Sequence, residues 1–180
     1  YSALIAVLRR DPAQSLARSG ETIALCEQWG FGMAGQLATC LRGWALAHTG
    51  DPETGVTDLR AGIAGLAASG QRQYRPFLLG LLADAHSRAG QPQQGLSALV
   101  DALAEADRSG ERFYQAELYR LRADIVGTLG PEHQAASRTW RDWASNTATS
   151  QGALGFLPAT ARDASTGGDY PDPATRSSTS

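Results

Sequence analysis

An all-α chain of stacked antiparallel helix pairs, wound into a right-handed solenoid, is what the sequence predicts, and three observations carry that prediction. Glycine recurs at 30, 50, 70, 90, 110 and 130, six hits in one phase of a 20-residue period. Self-similarity of this kind is the signature of repeat architectures. Alternate 20-residue segments match each other better than adjacent ones do, so the unit is about 40 residues. Finally, 31 alanines stand against four phenylalanines, a composition suited to close-packed helices.

The elements follow in order. The first segment carries Leu16, Ser19, Ile23 and Cys26 at helical spacing, after Asp11-Pro12. Ala34, Ala38, Leu41 and Ala45 make the stripe of the helix after Gly30, and Val56, Leu59, Ile63 and Leu66 that of the helix after Gly50. Tyr74, Leu78, Leu81 and Ala85 repeat the first kind, Leu96, Leu99, Leu103 and Ala106 the second, and Tyr114, Leu118, Leu121 and Ile125 the first again. Glycine takes the left-handed conformation that ends a helix, and Pro12, Pro52, Pro92 and Pro131 sit where the next begins. About 15 residues per helix makes rods of about 22 Å. The equivalent stripe in the last helix is Ala136, Thr139, Trp143 and Asn146, which is weak; Trp140 and Trp143 are placed to cap the stack. From Ser145 onward 12 of 36 residues are Ser or Thr, and such a composition cannot bury enough surface to offset the entropy of ordering. The expected organisation is therefore a repeat domain over 1–144, with repeats at about 1–30 (partial), 31–70, 71–110 and 111–144, and a disordered tail over 145–180. The opening at Tyr1, inside a repeat, suggests a piece of something longer.

Charge and motifs narrow the function. Sixteen Arg, no Lys and 18 acidic residues give a net charge near −2, with no basic surplus for a phosphate backbone, so nucleic acid is not expected as a direct partner. The longest apolar run is too short for a membrane span. Cys26 and Cys40 cannot make a disulfide framework and fit a reducing cytosol as small buried hydrophobes. His48, His86 and His133 lie in separate segments without ligand spacing, so no metal is expected, and a chain without Lys has no Walker-type loop. A Cys–His nucleophilic pair is conceivable, but Cys26 replaces Leu66 in the apolar stripe. Neither catalysis nor a cofactor is expected.

These residues resemble tetratricopeptide (TPR) arrays. Small residues recur where the helices of a pair cross: Gly43, Ala83 and Ala123 in one helix, with Gly55, Gly95 and Ala135 and then Gly62 and Ala102 in the other. The unit departs from the usual 34 residues by its longer helices and loop, and Leu46, His86 and Val126 stand where an aromatic is usual. Over residues 1 to about 135 the chain is more closely similar to the C-terminal TPR region of large bacterial signalling proteins. Those carry an adenylate/guanylate cyclase or helix-turn-helix domain, then an NTPase domain. The stretches responsible are 110–122, 41–45 and 89–92. The resemblance implies a cytoplasmic regulatory segment with the nucleotide chemistry elsewhere.

In TPR arrays the first helices of each pair line a concave groove. The resemblance places Leu37, Cys40, Trp44 and His48 there in one repeat, Phe77, Gly80, Asp84 and Arg88 in the next, and Glu117, Arg120, Asp124 and Thr128 in the third. Trp and Arg are the types that dominate binding energies once desolvated. The expected function is a non-enzymatic module that binds protein, either domains of its own parent chain or a separate partner. The alternative is the sensing of a small-molecule effector, with Trp44 beside His48 as a stacking site. Self-association through the apolar faces of exposed end helices is a further expectation.

Overall fold

The computed structural model describes residues 1–152, and within them every regular element is helical. The helices are α1 (Ser2–Leu8), α2 (Pro12–Trp29), α3 (Gly32–Thr49), α4 (Pro52–Ala68), α5 (Arg75–Arg88), α6 (Pro92–Ser109), α7 (Gln115–Thr128) and α8 (Gln134–Ser150), the last entered through a single 3-10 turn, Pro131–His133. The chain reverses between consecutive helices. Gly30, Gly50 and Gly110 cap α2, α3 and α6 in the left-handed region. The side chains of Asp11 and Asp51 accept from the N–H of Gln14 and Thr54, so Asp-Pro acts as helix start signal twice.

Packing follows sequence order. α3 and α4 form an antiparallel pair in which Gly43 faces Gly55 and Cys40 faces Gly62. A Cβ on Gly43 would stand 2.6 Å from the Gly55 carbonyl oxygen, closer than atoms pack, so both glycines are required by the approach of the two backbones. α5 with α6 and α7 with α8 pair likewise. In addition α3 touches α1 and α5, and α5 touches α7, so the odd-numbered helices form one continuous layer, against which the even-numbered helices pack. α5 lies in the middle and is buried on nearly every side, from Pro76 to Ala83 and again at Ala85 and His86. Phe77, Leu78, Leu81, Leu59, Leu99, Leu118 and Ile125 are the large side chains of the core.

Two sequence expectations need correction at α8. The helix runs through Ser150 and buries Ala148, past the expected boundary at 144; of the expected disordered segment 145–180, residues from 153 on lie outside the described residues. Ala135, expected at the crossing with α7, is exposed, and Ser137 occupies that place instead, its hydroxyl donating to the Ala123 carbonyl at 2.8 Å. Gly95 meets the Ala83 carbonyl one repeat earlier, so α8 is displaced by two residues against the 40-residue register. Gly130 and the 3-10 turn absorb the difference. The stripe that results, Ser137, Ala144 and Ala148, is small and partly polar. Trp140 and Trp143 gather with Tyr119 rather than in the core, with ring centroids 4.9 to 5.8 Å apart, and Trp143 remains 49% exposed.

His86 is the one buried imidazole of the core. Nδ1 lies 2.7 Å from the Gln91 side-chain oxygen and Nε2 lies 3.3 Å from Arg60, a pattern that suits the neutral ring with its proton on Nδ1. Burial pushes its pKa down; the Gln91 bond works the other way, and the Arg60 charge adds to the lowering. The unfolded chain therefore takes up this proton first on acidification, and stability falls as pH drops through about 6.5. Thermal melts from pH 7 to pH 5 should show this loss, and the slope should flatten in His86→Gln. An unchanged slope would contradict the assignment.

Candidate binding pocket

The odd-numbered layer carries a cavity of about 300 Å³. Its walls come from four places: Val7, Leu8 and Arg10 at the end of α1, Trp44 and His48 on α3, Asp84, Ser87 and Arg88 on α5, and Tyr114, Glu117, Arg120, Leu121, Asp124 and Ile125 at α7. The i, i+4 spacing of each helix puts these side chains on one face. Of the residues expected in the groove, Trp44, His48, Asp84, Arg88, Glu117, Arg120 and Asp124 thus meet in one site.

The others do not. Cys40 is fully buried in the α3–α4 contact, its Sγ 3.9 Å from the Leu59 carbonyl, and burial followed by the Asp58 charge pushes its thiol up to about 12. Such a thiol stays protonated and is not a nucleophile. Native protein should accordingly leave Cys40 unmodified by a thiol reagent that labels it after unfolding; rapid native labelling of Cys40 would contradict this. Phe77 is also fully buried, edge-on to Tyr114 at 4.8 Å, and Gly80 receives Tyr114 and Leu118. Leu37 lies apart, in a more apolar cleft of about 340 Å³ with Tyr1, Leu4, Met33, Ala34 and Tyr74. Thr128 turns its hydroxyl back to the Ile125 carbonyl. Trp44 lines the cavity but is only 4% exposed, with its ring 4.3 Å from that of His48, so it acts as a packed wall and not as a projecting anchor.

The polar side chains form two linked groups. His48 Nε2 lies 2.7 Å from one Asp84 oxygen, and Arg88 Nε donates to the other at 3.1 Å. Burial alone would raise the Asp84 pKa; the His48 bond and the charges of His48, Arg88 and Arg120 outweigh it and hold the carboxyl below its usual range. Glu117, 4% exposed, accepts a forked pair from Arg120 Nε and Nη2 and a third donor, Arg10 Nη2, at 3.1 to 3.2 Å. Burial would lower the Arg120 pKa, but the bond and charge of Glu117 reverse this and raise it. Asp124 accepts from Arg120 Nη1, and Arg141 of α8 stands 3.7 Å from its other oxygen.

Arg10 is the residue that repeat reasoning missed. It occupies the position 20 residues before Gly30 in the glycine series, and its φ of +58° is the left-handed conformation that glycines adopt at the later positions. The signal was present as a gap in the series. From that turn its guanidinium reaches across 107 residues of sequence to Glu117, which shows that the odd-numbered layer curves enough to bring its two ends within side-chain reach.

Among the described residues no group of three or more His, Cys, Asp or Glu is arranged to hold a metal ion, and no helix is long and apolar enough to cross a membrane. Comparison with protein-family models, with curated proteins and with solved structures gives no match for the chain.

Proposed function

We propose that the chain is a non-enzymatic binding module: a right-handed solenoid of TPR-like helix pairs whose concave face binds protein, as a cytoplasmic regulatory segment of a larger signalling protein. The observation that carries this reading is the convergence of Trp44, His48, Asp84, Arg88, Glu117, Arg120 and Asp124, from three successive first helices, on one face. Side chains that merely decorated solvated helices would have no reason to converge. The face displays both signs of charge at close range, which favours specificity and register over bulk affinity. A second reading, a small-molecule effector site, is favoured by the closure of that face into a cavity of about 300 Å³, at the lower end of ligand-site volumes.

The test is a selection of peptides from a random display library on the whole chain. Binding is then compared in Arg88→Glu, on the proposed face, and Arg138→Glu, exposed on α8. Loss of at least tenfold in the first and none in the second supports the module. Equal binding to both variants, or a loss confined to Arg138→Glu, overturns it. The effector reading predicts instead that no peptide is selected while a metabolite raises the melting temperature in a manner that Arg88→Glu abolishes.

A further inference from the structure

We propose that the cavity is an oxyanion site for a small phosphate monoester, seated between Arg10 and Arg88; this deepens the effector reading of the same pocket. Most hydrogen-bonding groups around the cavity are already used. Both oxygens of Glu117 and both of Asp84 have donors, and Asp124 is paired with Arg120 and faces Arg141. Arg120 spends Nε, Nη1 and Nη2 on Glu117 and Asp124. Asp124 Oδ1, 3.7 Å from Arg141, is the carboxylate oxygen of this group without a hydrogen bond of its own, while at Arg10 and Arg88 the spare capacity is donor capacity. Arg10 Nε and Nη1 and both terminal nitrogens of Arg88 make no hydrogen bond to protein among the described residues, and these two side chains are 54% and 43% exposed. A ligand seated between these two guanidiniums must therefore bring acceptors.

Charge and direction narrow the class. Arg10, Arg88, Arg120 and the rim Arg141 stand against Asp84, Glu117 and Asp124, an excess of one positive charge. That excess favours an anion. The spare donors come from two separate elements, the α1–α2 turn and the end of α5, so they suit a tetrahedral group with oxygens pointing several ways better than the single planar fork a carboxylate offers.

The backbone supplies an independent observation. At the later positions of the series the left-handed residue is glycine, which pays nothing for that conformation; Arg10 adopts it at a cost. A side chain placed there against its own backbone preference, and aimed into the cavity, is explained by what its guanidinium does.

Titration calorimetry of the whole chain at pH 7.5 and low ionic strength, with glycerol phosphate, inorganic phosphate and succinate as probes, tests the assignment. The proposal expects saturable binding of both phosphates with Kd below about 1 mM, succinate at least tenfold weaker, since a phosphate monoester is mostly dianionic at this pH. Arg10→Gly restores the residue the backbone favours, so it should fold as well as wild type by circular dichroism and lose at least tenfold in phosphate affinity. Arg88→Gln should lose as much, and Arg138→Gln nothing. No saturable phosphate binding, binding indifferent to Arg10→Gly and Arg88→Gln, or succinate bound as well as phosphate each overturns the proposal. A chain that selects peptides through Arg88 yet ignores phosphate overturns this inference and leaves the binding-module reading standing.

Discussion

Phe77→Ala is expected to lower the free energy of unfolding by about 3–5 kcal/mol, the cost of emptying a large site that its surroundings cannot refill. The ring is fully buried on α5, in the middle of the odd-numbered layer, edge-on to Tyr114 at 4.8 Å and 6.0 Å from Phe113. Part of the loss, about 0.5–1.5 kcal/mol, is the edge-to-face contact itself. Phe77→Leu keeps most of the volume and should cost less than half as much. Urea unfolding followed by circular dichroism reads both. A Phe77→Ala midpoint equal to that of wild type would mean that the ring faces solvent, as its expected place in the groove required.

Gly55→Val is the second large effect, expected at about 2–3 kcal/mol. A Cβ at Gly55 would sit 2.5 Å from the Gly43 carbonyl oxygen and 2.9 Å from the Ala47 nitrogen. Both are backbone atoms of α3 and cannot rotate away, so the two helices must part along the contact that buries Val56 and Leu59. Overpacking of this kind costs about 1–3 kcal/mol, and a β-branched residue recovers little from helix propensity. Gly20 provides the control: nothing lies within 4 Å of a Cβ there, at an exposed position of α2, so Gly20→Ala should stabilise by about 0.5–1 kcal/mol. Opposite signs for two helical glycines, in the same denaturation assay, separate close approach from propensity. Destabilisation of similar size at both would contradict the packing described.

How legible each feature was depends on the physics behind it. Helix ends were readable because glycine in the left-handed region and Asp-Pro at a start are local signals, and the structure places them at Gly30, Gly50, Gly110, Asp11 and Asp51. Apolar stripes at spacing of three and four located the core faces of α4 and α7, where Val56, Leu59, Ile63 and Leu66 and then Tyr114, Leu118, Leu121 and Ile125 are buried. The orientation of a residue on a helix buried from several sides was not readable in this way. α5 has little polar face to mark an outside, so the repeat frame alone puts Phe77 in the groove, and Cys40 with it, although Gly62 opposite Cys40 opens room for the sulfur in the pair contact. The two-residue displacement of α8 arises in the Gly130 to His133 turn, whose length a fixed 40-residue period conceals. The salt links of the pocket join side chains up to 107 residues apart, and that proximity is a property of the curvature, not of any local pattern.

That curvature is what the pocket, and every binding role assigned to it, depends on, and a double-mutant cycle between Arg10 and Glu117 measures it directly. Arg10→Gln, Glu117→Gln and the double variant are unfolded in urea at low and high salt. With Arg10 half exposed and Glu117 buried, the account predicts a favourable coupling of about 0.5–1 kcal/mol, reduced by salt. The two residues are joined only through the stack of helices between them, so a coupling indistinguishable from zero at low salt would mean that the ends of the layer do not meet and that the cavity is open in solution.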